Sequence, residues 1–132
     1  MAKYFELINI PKIEDARGNL AIIEKEVIPF EIKRVYYLYD VPSTAYRGGH
    51  AHKGQHSMMI ALSGSFDVVL ENSKHKETIT LNKPDKGLLL PAGTWREIEN
   101  FSSGAVCLVI SSGEYDEDDY IRDYSEFEKL FK

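Results

Sequence analysis

His50 and His52 stand two residues apart in the run Arg47-Gly48-Gly49-His50-Ala51-His52-Lys53. In a β-strand that spacing puts both imidazoles on one face, within a few ångströms of each other. Imidazole titrates near neutral pH, so a pair on an inward face can hold a metal or move protons. The rival reading is an exposed polar strand face. A second run, Gly87 to Asn100, carries Pro91-Ala92-Gly93 followed by Trp95 and Arg96.

The elements that must present these residues read as short strands between turns. Leu7-Ile8-Asn9-Ile10 precedes Pro11, and a strand over 19–26 follows the turn Ala16-Arg17-Gly18-Asn19. Residues 32–39 are rich in β-branched and aromatic types. Residues 65–71 and 77–81 alternate apolar and polar around a turn at Asn72-Ser73-Lys74. Residues 87–90 form a buried strand, and 95–100 and 105–111 complete the set. Spacings of about 8 to 12 residues with turn signals predict a sandwich or barrel. Only 118–132 looks helical, because Tyr120, Ile121, Tyr124, Phe127, Leu130 and Phe131 recur at three- and four-residue steps. The length of 132 residues predicts one domain, 1–132.

Composition excludes several classes. Hydrophobic residues at 43% and charged ones at 28% argue against disorder. No apolar run approaches the roughly 20 residues of a membrane span. The opening Met1-Ala2-Lys3-Tyr4-Phe5-Glu6 lacks the apolar centre of a signal peptide. One cysteine, Cys107, permits no intrachain disulfide, which fits the cytoplasm. A net charge of −5 argues against nucleic-acid binding but leaves room for an anionic small molecule held by local arginines. Residues 114–119 hold five of the 21 acids. They read as a solvated loop before the last helix, or as a loop covering the edge of a site or a partner.

In these two runs the chain resembles the cupin superfamily, over roughly 20–112. His50-x-His52 and Gly64 match the first cupin motif, and Gly87, Pro91-x-Gly93 and Asn100 match the second. Where a metal-binding cupin has an acid this chain has Ser57, and where it has the later histidine this chain has Arg96. A guanidinium cannot ligate a divalent cation and repels one. The resemblance therefore implies a metal-free cupin with an anion-friendly interior.

A narrower resemblance spans nearly the whole chain. Arg34-Val35-Tyr36-Tyr37, Arg47-Gly48-x-His50-Ala51-His52-Lys53 and Tyr115-Asp116-Glu117-x-Asp119-Tyr120-Ile121-Arg122-x-Tyr124 are similar to the sugar-nucleotide 3,4-ketoisomerases of the FdtA/QdtA, or WxcM-like, family. This implies conversion of dTDP-4-keto-6-deoxyglucose to a dTDP-3-keto-6-deoxyhexose through an enediol or enediolate. The pathway implied is synthesis of 3-amino-3,6-dideoxy sugars for surface polysaccharide such as lipopolysaccharide.

The reaction needs a base near neutral pKa, an oxygen-side proton carrier and positive charge for the enolate, with no metal or cofactor. His50 is the expected base. His52 is a second acid–base or positioning group. Tyr36 is the oxygen-side carrier, exchanging roles with Tyr37 if a bulge shifts the register. Arg96 and Arg17 are expected near the sugar, Arg47 and Arg34 near the pyrophosphate, and Ser57 and Trp95 in the substrate site. Each has a plainer reading: Arg34 pairing with the acidic tail, Arg17 exposed in its turn, Trp95 in the core. A homodimer to which the N-terminal strands contribute completes the expectation. The alternatives are a related dTDP-sugar 3,5-epimerase and a non-catalytic nucleotide-sugar-binding cupin.

Overall fold

The computed structural model describes residues 5–132. Met1–Tyr4, where the targeting reading began, lie outside those residues. Twelve short strands and one helix follow the alternation and turn signals of the sequence. They are β1 (Glu6–Asn9), β2 (Lys12–Asp15), β3 (Gly18–Ala21), β4 (Arg34–Leu38), β5 (Arg47–His52) and β6 (Ser57–Ser63). After them come β7 (Phe66–Glu71), β8 (Lys76–Leu81), β9 (Lys86–Leu90), β10 (Trp95–Glu99), β11 (Val106–Ser111), β12 (Tyr120–Ile121) and α1 (Tyr124–Phe131).

Two five-stranded antiparallel sheets form, in the orders β1-β9-β6-β11-β4 and β12-β5-β10-β7-β8. They pack face to face without closing into one hydrogen-bonded barrel. Period-two alternation explains the core. Met59, Ala61, Leu88, Leu90 and Val109 of the first sheet meet Phe66, Val68, Leu70 and Ile98 of the second. These residues fill one half of the sandwich. The other half, between β4 and β11 on one side and β5 and β10 on the other, stays open as a cavity.

Two expectations shift, and one hairpin stands apart. The strand expected over 19–26 ends at Ala21. Lys25 adopts φ +51°, and Ile23, Val27, Ile28 and Phe30 instead cross the outer face of the first sheet. There they cover Met58, Ile60, Leu89 and Ile110. Next, β2 and β3 pair only with each other, and every residue of this hairpin is exposed. Finally, the helix expected over 118–132 is shorter. Asp123 caps it by accepting from the Ser125 amide, so it begins at Tyr124. Upstream, Tyr120 and Ile121 pair with His52 and Ala51 as β12. Their helical spacing was real, but the unpaired edge of β5 offers these backbones a ladder.

Candidate active site

The site is built around β5. Opposite it on β10, Arg96 pairs with His50 while Glu97 pairs with Gly48, so Gly49 is the extra residue of a bulge. Both glycines have positive φ, +87° for Gly48 and +67° for Gly49. A Cβ at Gly48 would lie 3.0 Å from the Arg96 carbonyl oxygen. The Gly-Gly pair thus lets β5 approach β10 closely and sets the register that brings His50 beside Arg96. Ala51 points the other way, into a cluster with Trp95, Ile121 and Phe127 under α1.

The cavity holds about 430 Å³. Leu38, Met59, Ile98 and Val109 give it an apolar floor, and Tyr36, Arg47, His50, Arg96, Tyr120 and Arg122 give it polar walls. Three guanidinium groups and no carboxylate line it, so its field favours an anion.

Arg96 is 1% exposed. Among the described residues its Nε and Nη2 reach only the Thr94 carbonyl oxygen, at 3.4 and 3.3 Å. Among the described residues no carboxylate lies within ion-pair distance of it. A buried, unneutralised cation beside a cavity is a preorganised place for negative charge. Burial, and then Arg96, push His50 down to about 2, well below the near-neutral value expected of the base, so its imidazole is neutral and offers a lone pair. Burial raises Tyr36 above the usual phenol value, with Arg96 acting against the rise, so its proton is retained. A neutral base, a protonated phenol and a fixed cation thus share one cavity.

The remaining expected residues divide by placement. Tyr36 and Arg47 line the cavity, whereas Tyr37 lies on the outer face and is 60% exposed. His52 is fully buried behind His50 and Tyr120 and does not line the cavity. Ser57 is also buried, on the inward face of β6 beyond the cavity wall, and its hydroxyl makes no hydrogen bond among the described residues.

Three expectations need correction within a single chain. Trp95 faces away from the cavity, against Tyr124 and Phe127, and its indole N–H donates to Glu97, because strand alternation opposes it to Arg96. Arg34 is committed elsewhere. Its Nη1 donates to the Tyr120 hydroxyl at 3.2 Å and its Nη2 to Gln55 at 3.1 Å, with the rings of Tyr36, Tyr115 and Tyr120 around it. Arg17 sits on the detached hairpin, paired with Asp15 at 2.8 Å.

The acidic loop reads as solvated or as covering a site edge, but sequence reasoning missed that the strand after it supplies Tyr120 and Arg122 to the cavity wall. Tyr120 packs on both imidazoles, with ring centroids 5.0 Å from His50 and 4.4 Å from His52. Arg122 lies 4.4 Å from the centre of the Tyr120 ring and pairs with Glu117. Asp119 accepts from His52 Nδ1 at 2.9 Å. The overlooked signal was the alternation Tyr120-Ile121-Arg122, which puts Tyr120 and Arg122 on one side and Ile121 on the other.

The family model described as FdtA: WxcM-like, C-terminal matches residues 3–132. The chain belongs to this family. A TDP-4-oxo-6-deoxy-α-D-glucose-3,4-oxoisomerase from Aneurinibacillus thermoaerophilus is 45% identical over 125 residues, covering 94% of this chain and 90% of that protein. Among solved structures, the WlaRB TDP-quinovose 3,4-ketoisomerase from Campylobacter jejuni is 45% identical, with a TM-score of 0.91. It covers 97% of this chain and 99% of its own. The QdtA 3,4-ketoisomerase from Thermoanaerobacterium thermosaccharolyticum is 40% identical with a TM-score of 0.94, covering 98% and 95%. That structure is of a histidine-to-asparagine mutant in complex with TDP-4-keto-6-deoxyglucose. The FdtA-family fold is cupin-like, and the two packed sheets are its scaffold.

Proposed function

We propose that this chain is a 3,4-ketoisomerase acting on dTDP-4-keto-6-deoxyglucose, and that 1–132 works as one domain. The observation that carries the reading is the buried Arg96 guanidinium beside neutral His50 in a cavity without carboxylates. Likeness to 3,4-ketoisomerases over almost the whole chain supports it.

The chemistry follows from the placement. His50 removes the C3 proton, which the C4 carbonyl acidifies. Negative charge develops on O4, where Arg96 stabilises the enediolate. His50 returns the proton at C4, and Tyr36 carries the hydroxyl proton from O3 to O4. Arg47 and Arg122 on the cavity wall suit the pyrophosphate. Two imidazoles beside a fixed guanidinium are a poor donor set for a divalent cation, so no step is routed through a metal. No helix among the described residues is long and apolar enough to cross a membrane. A water-soluble nucleotide sugar and a single buried cysteine suit the cytoplasm.

Proton NMR of the protein with dTDP-4-keto-6-deoxyglucose tests the reading. The 4-keto signals should decay as a 3-keto species accumulates, without solvent deuterium at C5. Deuterium at C5 would indicate the epimerase instead, and binding without turnover would indicate a sensor.

The functional unit is a homodimer in which the hairpin carries Arg17 to the partner's cavity. Three features support this. Among the described residues the hairpin pairs with no other strand, Ile13 and Leu20 on it are each 56% exposed, and Arg17 meets only Asp15. On the edge strand β4, Val35 and Tyr37 leave an apolar surface facing outward. Arg17→Ala is expected to lose about tenfold in turnover, as befits one charge-assisted contact of about 1.5 kcal/mol. Mixed dimers of Arg17→Ala and His50→Asn subunits should regain about half of the unmodified activity, because one of their two sites is then intact. No recovery in the mixed dimer would place Arg17 outside the partner's site.

A further inference from the structure

Asp119 does not line the cavity, yet its carboxylate is one of the most heavily used acceptors near it. It lies at the end of the 3₁₀ turn Glu117–Asp119, immediately before β12. Oδ1 accepts from the Gly54 amide at 2.8 Å, and Oδ2 accepts from the Gln55 amide at 3.2 Å and from His52 Nδ1 at 2.9 Å. Its own carbonyl accepts from the Lys53 amide at 2.9 Å. One residue therefore ties the acidic loop to the β5–β6 turn and to the second imidazole.

The tautomer of His52 follows from chemistry. A carboxylate already receiving two backbone N–H groups has only acceptor capacity to offer. The imidazole must therefore donate to it from Nδ1. Full burial, with Arg96 and Arg34 nearby, keeps His52 neutral, so its single N–H is the one on Nδ1. Nε2 then carries only a lone pair, and it is buried without a hydrogen-bond partner among the described residues. The ring stands edge-on to His50, 5.1 Å between centroids, and 4.4 Å from Tyr120. Both of those residues line the cavity.

We propose that Asp119 is a positioning residue for the isomerisation: it locks His52 as the Nδ1–H tautomer, so that a bare Nε2 and a carboxylate stand behind the His50 base. When His50 takes the carbon-bound proton, it becomes a cation in a cavity already holding three guanidinium groups. A lone pair behind it tolerates that charge, whereas an N–H would oppose it. The inference rests on the ketoisomerase reading, in which His50 moves the proton.

Asp119→Asn separates the possibilities. Of its two backbone donors the Gly54 amide at 2.8 Å is nearer than the Gln55 amide at 3.2 Å, so the new side chain keeps its oxygen on Gly54, gives up Gln55 and presents its NH2 to His52, which forces the proton onto Nε2. The expected result is a fall in kcat of about 10²-fold with KM within threefold. Nitrogen-15 imidazole spectra should show Nδ1–H in the unmodified protein and Nε2–H in the variant. His52→Asn is the second arm, since its amide retains a donor to Asp119 while deleting Nε2, and a comparable fall in kcat is expected. It also decides the matter if Asp119→Asn does not fold. Unchanged kcat in a folded variant of either kind, or Nε2–H in the unmodified protein, would overturn the proposal. If the unmodified protein itself shows no turnover, the functional reading has failed, and the tautomer spectrum still tests the geometry.

Discussion

His50→Asn is expected to reduce kcat by about 10²- to 10⁴-fold while leaving the dissociation constant for dTDP-4-keto-6-deoxyglucose within a few-fold of its original value. Asparagine occupies much the same volume at Cγ but cannot accept a proton. The substitution therefore removes the base without opening the wall between Arg96 and Tyr120. The neutral imidazole adds little ground-state attraction for an anion, so binding should survive through the arginines. Single-turnover NMR in D2O supplies the mechanistic readout. The unmodified protein should pass hydrogen between C3 and C4, with exchange into solvent limited by how long His50 holds it, and the variant should do neither. Turnover within tenfold of the original would sink His50 as the base. His52 is a poor substitute, because it is walled off from the cavity by His50 and Tyr120.

What could be read in the chain beforehand divides along a physical line. The inward parity of His50 and His52 was legible because strand geometry has a fixed period of two, and Ala51 between them does face the opposite layer. Tyr36 against Tyr37 was decidable in principle by the same rule. It stayed open only because a bulge would have reversed it, and the bulge fell instead at Gly49 on β5. Arg34 shares parity with Tyr36 and carries the charge that a pyrophosphate needs. Parity says nothing about depth along a strand, and at its end of β4 the side chain meets Gln55 and Tyr120 rather than the cavity. Trp95 is the simplest lesson: next to an inward Arg96, alternation alone sends it outward.

The contribution of Asp119, Tyr120 and Arg122 was hidden for a different reason. Their spacing also fits a helix, and only the neighbouring edge of β5 converts it into a strand that lays Tyr120 across both imidazoles. The acidic loop looked solvated because five carboxylates in six residues usually are. Asp119 differs from its neighbours by meeting three N–H donors that lie more than 60 residues away in sequence. Arg17 shows a third limit: on the proposed reading, in which it serves the cavity of another copy of the chain, no intrachain contact can signal that placement.

Arg96→Met is expected to slow turnover by about 10²- to 10³-fold and, at the same time, to stabilise the fold. On the proposed reading the first effect comes from the loss of the cation that meets the enediolate charge. The second follows because Arg96 is buried with only a carbonyl oxygen as partner, and charge without compensation in such a place is costly. An unbranched apolar chain relieves that cost, and replacements of buried charge by apolar groups have raised stability by roughly 1 to 4 kcal/mol. Thermal denaturation should therefore show a higher Tm in the slower protein.

The pH profile gives an independent sign. Burial first, and Arg96 second, hold His50 down to about 2, so with Arg96 in place the base stays unprotonated across the accessible acid range. Removing the guanidinium lets the His50 pKa rise, and protonation then begins at higher pH. The acid limb of kcat/KM should move upward in the variant, toward the range of an ordinary imidazole. An acid limb that stayed in place or moved downward would mean that Arg96 does not act on His50. A lower Tm would mean that an ion pair, rather than an isolated charge, had been removed. On the proposed reading the arrangement exchanges stability for catalysis at one residue: the charge that the fold tolerates poorly is the charge that the enediolate requires.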